Sequence, residues 1–202
     1  MTQIPPFYRC FCAILIIPLS LALAACCRPP LKESLGVTLR PQKTSMWCWA
    51  ASGEMVMSYL GTDVPQCTQA NNRFGRTDCC NSPTPNACVN GGWPEFGKYG
   101  FSFQKTTNAP LSWVALKREI ADSLRCGRRP FAFSWRWPGG GGHMMVAIGY
   151  RTVDSVNYVE VNDPWSPNVG DHYFVTYDYY VASPRHHTHW DDYYRVQKKG
   201  GQ

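Results

Sequence analysis

The stretch QKTSMWCWAAS, Gln42 to Ser52, sets a single cysteine, Cys48, between two tryptophans and six residues after a glutamine. Further along, Trp47, Ala51, Met55 and Tyr59 recur at i, i+4 spacing with Val56 beside them, and Gly61 stands where a C-terminal cap belongs. The spacing predicts a helix over residues 45–60. Apolar neighbours alone would fit a buried structural thiol. A cysteine in the first turn of that helix, capped by Ser45 or a neighbour, fits a nucleophile. A helix N-terminus carries about half a unit of positive charge, which favours the thiolate, the reactive form of a cysteine. Trp47 and Trp49 read as core rather than as a substrate platform.

The helix sits in a chain whose remaining pattern is α+β. A second helix is expected from Trp113 to Arg125. Ser112 is its N-cap, Leu111 and Leu116 form its hydrophobic staple, and Gly127 is its stop. From Pro130 the pattern turns to period two and short apolar runs. FAFSWRW, HMMVAIGY, VNYVEVN, HYFVTY and DYYRV read as strands, separated by Gly, Pro and Asp. Helices first and strands later point to helices packed on a C-terminal antiparallel sheet. Residues 62–109 read as loop, and a loop of that length needs staples. WPGGGG, Trp137 to Gly142, fits a mobile flap or a long turn equally.

The first 25 residues read as a targeting segment. Arg9 is their only charge, and a continuous apolar run ends in LAAC, Leu23 to Cys26. The run is short for a membrane span of about 20 residues, and its three-part layout is that of a secretory signal. LAAC resembles the bacterial lipoprotein signal, which implies lipid on Cys26 and a cell envelope location, with plain secretion as the alternative. Residues 26–41 read as a leader and residues 42–198 as the catalytic domain. Only 15 residues separate Cys26 from Gln42.

Export makes disulfides the expected state of Cys27, Cys67, Cys79, Cys80, Cys88 and Cys126, ahead of zinc, since the histidines lie far off in sequence. Their pairing stays open. The net charge of +6 is spread along the chain without a nucleic-acid stripe. RHHTHW, Arg185 to Trp190, has histidines at mixed spacing and reads as a solvated loop rather than a metal site.

A thiolate needs a base. His143 follows four glycines and opens the apolar strand MMVAIGY. VEVNDPW places Asn162 and Asp163 at the end of the next strand. An antiparallel pairing of the two strands returns Asp163 to His143, where a carboxylate orients the ring and stabilises the imidazolium. Adjacent strand residues face opposite ways, so Asp163 and not Asn162 is expected there. Trp165 is expected to cover the pair from water.

Gln42 followed by Cys48-Trp49-Ala50 resembles the active-site segment of papain-like cysteine peptidases. GGHMMVAIGY resembles their histidine strand. VNDPW, with aspartate as third member, resembles bacterial branches, among them bacteriocin-processing and avirulence-effector peptidases. The match covers residues 40–165 in three ordered blocks. The resemblance implies Cys48 as nucleophile, His143 as base and acid, Asp163 as orienter, and Gln42 as oxyanion donor beside the Cys48 backbone amide. It implies a peptide or protein substrate and no cofactor or metal. A catalytically silent fold that binds peptides or cell-wall fragments is the competing reading, and the intact set of four residues speaks against it. The cysteine that many members carry just before the nucleophile is absent here, where Thr44, Ser45, Met46 and Trp47 stand.

Overall fold

The computed structural model describes residues 28–122 and 126–200. Strand β1 (Lys32–Ser34) leads to helices α1 (Cys48–Tyr59) and α2 (Gln66–Phe74). Strand β2 (Phe101–Lys105) and helix α3 (Trp113–Ile120) follow. The chain then runs through β3 (Phe131–Arg136), β4 (Gly142–Val153), β5 (Val156–Asp163) and β6 (Asp171–Thr176). It ends in α4 (Tyr177–Val181), β7 (Ala182–Ser183) and β8 (His187–Lys198). The sheet order is β2-β8-β3-β4-β5-β6, with β1 added to β4, β7 to β8, and every pairing antiparallel. This is the expected α+β architecture.

The core lies where α1 crosses β4. From Trp49 to Met57 every residue of α1 is buried, and so is every residue of β4 from Met144 to Tyr150. A side chain such as Met55 or Val56, removed from water entirely, contributes about 1.5–3 kcal/mol. Strands β4 and β5 are joined by Asp154 and Ser155, at φ 48° and 65°. A two-residue turn with both φ positive matches the twist of the flanking strands and locks their register. Val153 therefore faces Val156, and a bulge between Ala147 and Gly149 then shifts the register by one, so that Val146 faces Asn162.

Four expectations shift. The segment read as a leader is built into the fold from Lys32 on. Leu35 and Val37 are buried, and the Asn162 side-chain amide donates to the Val37 carbonyl at 3.0 Å. The segment read as loop holds α2 and β2. Helix α2 lacks an apolar stripe because it docks through buried amides: Gln66 Nε2 donates to Glu54 Oε2 and the Pro41 carbonyl, and Gln69 Nε2 to the Ala50 and Val64 carbonyls, all at 2.9 Å. The third helix keeps its Ser112 cap, whose Oγ accepts from Ala115 N, but ends at Ile120 rather than Arg125. Finally, RHHTHW is not a solvated loop. His187 and His189 are buried on β8, His189 with Nε2 2.9 Å from Asp192 Oδ1.

Candidate active site

Cys48 is the first residue of α1 and the one free cysteine among the described residues. Ser45 does not cap the helix. Trp47 occupies the cap position and makes no side-chain capping bond, so the leading N–H groups keep their field near the sulfur. The two flanking indoles are core, as expected, and anchors as well. Trp47 Nε1 donates to the Cys88 carbonyl at 2.7 Å and Trp49 Nε1 to the Asn90 carbonyl at 3.2 Å. They tie α1 to the loop that runs into Gly91 and Gly92, both in the cleft wall. Disulfides Cys67–Cys80 and Cys79–Cys88 staple that region, and Cys126 is disulfide-bonded too. The Asp78, Cys79 and Cys88 cluster has metal-binding spacing, but its two sulfurs are bonded to each other.

The hairpin register assembles the next two groups. With Val146 opposite Asn162, Asp163 falls opposite Met145, and His143 lies diagonally across on the same face. His143 Nε2 is 2.6 Å from Asp163 Oδ1, and Cys48 acts electrostatically on the same ring. Burial pushes the imidazole toward neutrality. The Asp163 carboxylate and Cys48 outweigh it and raise His143 from 6.5 to about 9. Burial likewise opposes the Asp163 charge, yet the carboxyl is held below its ordinary value by His143, the Trp165 N–H and the Tyr173 hydroxyl.

Period two adds a group that sequence reading missed. Tyr173 pairs with Val161 across β5 and β6, so its side chain shares the face of Asp163. Its hydroxyl donates to Asp163 Oδ2 at 2.8 Å, while Trp165 N donates to Oδ1 at 2.8 Å. Trp165 thus acts on the pair through its backbone, and its half-exposed ring lines the cleft. Asn162 faces the other way, to Val37.

Gln42 is completely buried, and its Nε2 donates one hydrogen to the Thr44 carbonyl at 2.7 Å. It is not among the residues that line the cleft. The cleft itself is a cavity of about 560 Å³ whose wall includes Cys48, His143, Arg73, Trp93, Trp165 and Trp190. WPGGGG forms the β3–β4 turn: Trp137 N donates to the Gly141 carbonyl and Gly140 N to the Trp137 carbonyl. Gly140 and Gly141 have φ 92° and 73°, which only glycine adopts readily. The turn sets the exposed Trp137 ring nearly parallel to His143, 6.4 Å away. Cys26 lies outside the described residues.

A search of curated proteins by sequence finds no match. In fold the chain is similar to a mite protein from a structural study of antibody cross-reactivity between the allergens Blo t 1 and Der p 1. That match has 14% identity and a TM-score of 0.50 and covers 83% of this chain and 71% of the other. It is also similar to digestive procathepsin L 3 of the Tenebrio molitor larval midgut, at 11% identity and a TM-score of 0.46, covering 83% and 70%. At these identities the first likeness speaks for the papain-like fold alone. The sequence itself matches the Peptidase_C39-like family over residues 34–197, a span that takes in both helix and sheet. The chain belongs to the Peptidase_C39-like family and has the fold of a papain-like cysteine peptidase.

Proposed function

We propose that the chain cleaves peptide bonds through Cys48, His143 and Asp163. The observation that carries this is the 2.6 Å contact of His143 with Asp163, on a ring that lines the same cleft as Cys48 at a helix N-terminus and feels its charge. In the proposed reaction the Cys48 thiolate attacks the substrate carbonyl. The oxyanion is met by the Cys48 backbone N–H, free of an intrahelical partner, and Gln42, buried beside rather than in the cleft wall, keeps its second Nε2 hydrogen for the same role. One such donor contributes about 10²–10³ in rate. The His143 imidazolium passes its proton to the leaving amine. Water, deprotonated by the neutral ring, then releases the acyl group and restores the thiolate. Asp163 keeps the ring oriented throughout and stabilises its imidazolium form. An amine in place of water would give transpeptidation.

The proposal extends to export, with lipid on Cys26 holding the domain to a bacterial membrane. LAAC, Leu23 to Cys26, supports this. The test of the chemistry is labelling of the exported chain with an epoxysuccinyl probe, followed by peptide mapping. The adduct is expected on Cys48 and lost in His143→Ala. A Cys48 left unlabelled under native conditions would instead favour a silent binding module.

A further inference from the structure

We infer that Arg73 selects substrates that carry a carboxylate beside the scissile bond. The inference rests on the peptidase reading and names the substrate class of that same cleft. Arg73 stands near the end of α2 and lines the cavity with Cys48 and His143. Its guanidinium lies over the Trp49 ring, 5.3 Å from the centroid, and packs against Gly92. A Cβ on Gly92 would collide with both Arg73 and Trp49. The missing side chain leaves the room in which the arginine is held. The cation is therefore fixed by an aromatic face on one side and a backbone on the other.

Its donors are unspent. The one carboxylate near it is Glu95, with Nη1 to Oε1 at 3.8 Å, beyond hydrogen-bond length. Glu95 is nearer to Lys98, at 3.0 Å. Among the described residues its other neighbours are the Trp49 ring, the Gly92 backbone and the Tyr193 hydroxyl, on which its charge acts, and none takes a hydrogen bond from it. A guanidinium offers five N–H donors in a planar fork shaped for a carboxylate. Arg136, by contrast, is occupied: it lies 4.5 Å over Trp190 and donates to Asn108 Oδ1 at 2.8 Å. Among the described residues no Asp or Glu lines the cavity. A pre-positioned arginine in an aromatic cleft without acidic groups favours a bound carboxylate and resists a bound cation. The carboxylate can be a Glu or Asp side chain or the end of a peptide.

The test uses paired epoxysuccinyl peptides that differ only in Glu against Gln at the first or second residue, each with an amidated or a free C-terminus. Second-order inactivation of Cys48 is measured on the full chain as wild type, Arg73→Gln and Arg73→Lys. In the wild type the acidic member of one pair should react about tenfold faster, the worth of a charge-assisted hydrogen bond. The ratio should fall to about one in Arg73→Gln and be partly kept in Arg73→Lys. A preference confined to the free C-termini would assign the carboxylate to a chain end, and one seen with Glu to a side chain. A wild-type ratio near one, or a ratio untouched by Arg73→Gln, overturns the inference while leaving a labelled Cys48 as a peptidase nucleophile. If no probe labels Cys48, the peptidase reading falls. The inference is then judged by fluorescence anisotropy of the same peptides, without warhead, on the Cys48→Ala chain, where equal affinity for Glu and Gln overturns it.

Discussion

Replacing Asp163 with alanine should cost activity in a pH-dependent way, and the size follows from the site. With Asp163 in place the His143 ring is raised to about 9, so at pH 8 about nine rings in ten are protonated. Without the carboxylate, burial and Cys48 pull in opposite directions, and the ordinary value near 6.5 is the working figure. At pH 8 that leaves about 3% imidazolium, a loss of about 30-fold from protonation alone. Below pH 6 this part vanishes, and the remaining loss reflects a ring without its 2.6 Å anchor. The assay is kcat/KM against pH on a quenched peptide, with circular dichroism to confirm the fold. The alkaline limb, near 9 in the wild type, should move down toward 6.5 in Asp163→Ala. Asp163→Asn should fall between, because an amide oxygen still accepts from the ring. An alkaline limb unchanged in Asp163→Ala refutes the reasoning, as does Asn162→Ala silencing a folded enzyme that tolerates Asp163→Ala.

Tyr173→Phe removes one of three donors to Asp163. It should lower kcat by about three- to tenfold with KM little changed, and a KM effect alone would place Tyr173 in binding instead. Asn162→Ala leaves the Val37 carbonyl without its side-chain donor and should cost about 1–3 kcal/mol in urea unfolding at unchanged kcat. The His143 proton also links stability to pH. Because its folded value lies above 6.5, the stabilisation is complete below pH 6.5 and is lost as pH rises toward about 9. Urea midpoints should fall across that window in the wild type and stay flatter in His143→Ala. For the membrane proposal, Cys26→Ser should move the protein from the detergent phase to the aqueous phase or leave it unprocessed.

Much of the architecture can be read from the chain because burial imposes a period. The late strands alternate or run apolar, and α1 repeats every four residues, so both appear without any tertiary knowledge. Helix α2 does not appear, since its sequence QCTQANNRF buries glutamine amides whose acceptors, Ala50, Val64 and Pro41, are supplied by other segments. A polar helix that docks by hydrogen bonds has no apolar periodicity to detect. For the same reason β1 was read as leader: three residues carry too little pattern, and their pairing partner lies more than a hundred positions away.

The site divides along the same line. Cys48 at a helix start, His143 at a strand mouth and Asp163 at the next strand's end are properties of local segments joined by one hairpin. The approach of His143 to Asp163 needs more than strand parity and turn length: the bulge between Ala147 and Gly149 shifts the register by one and puts Asp163, rather than Asn162, on the face of His143. Tyr173 and Arg73 are different. Tyr173 reaches Asp163 only because β6 pairs with β5 in a register that puts both on one face. Arg73 enters the cleft only because α2 packs on α1 and Gly92 leaves it room. By itself the sequence determined which residues can carry a charge or a nucleophile and which face of each element is apolar, because those are properties of residue type and local period. Only the tertiary structure decided which of those groups meet, because burial and hydrogen bonding between distant segments depend on how whole elements pack.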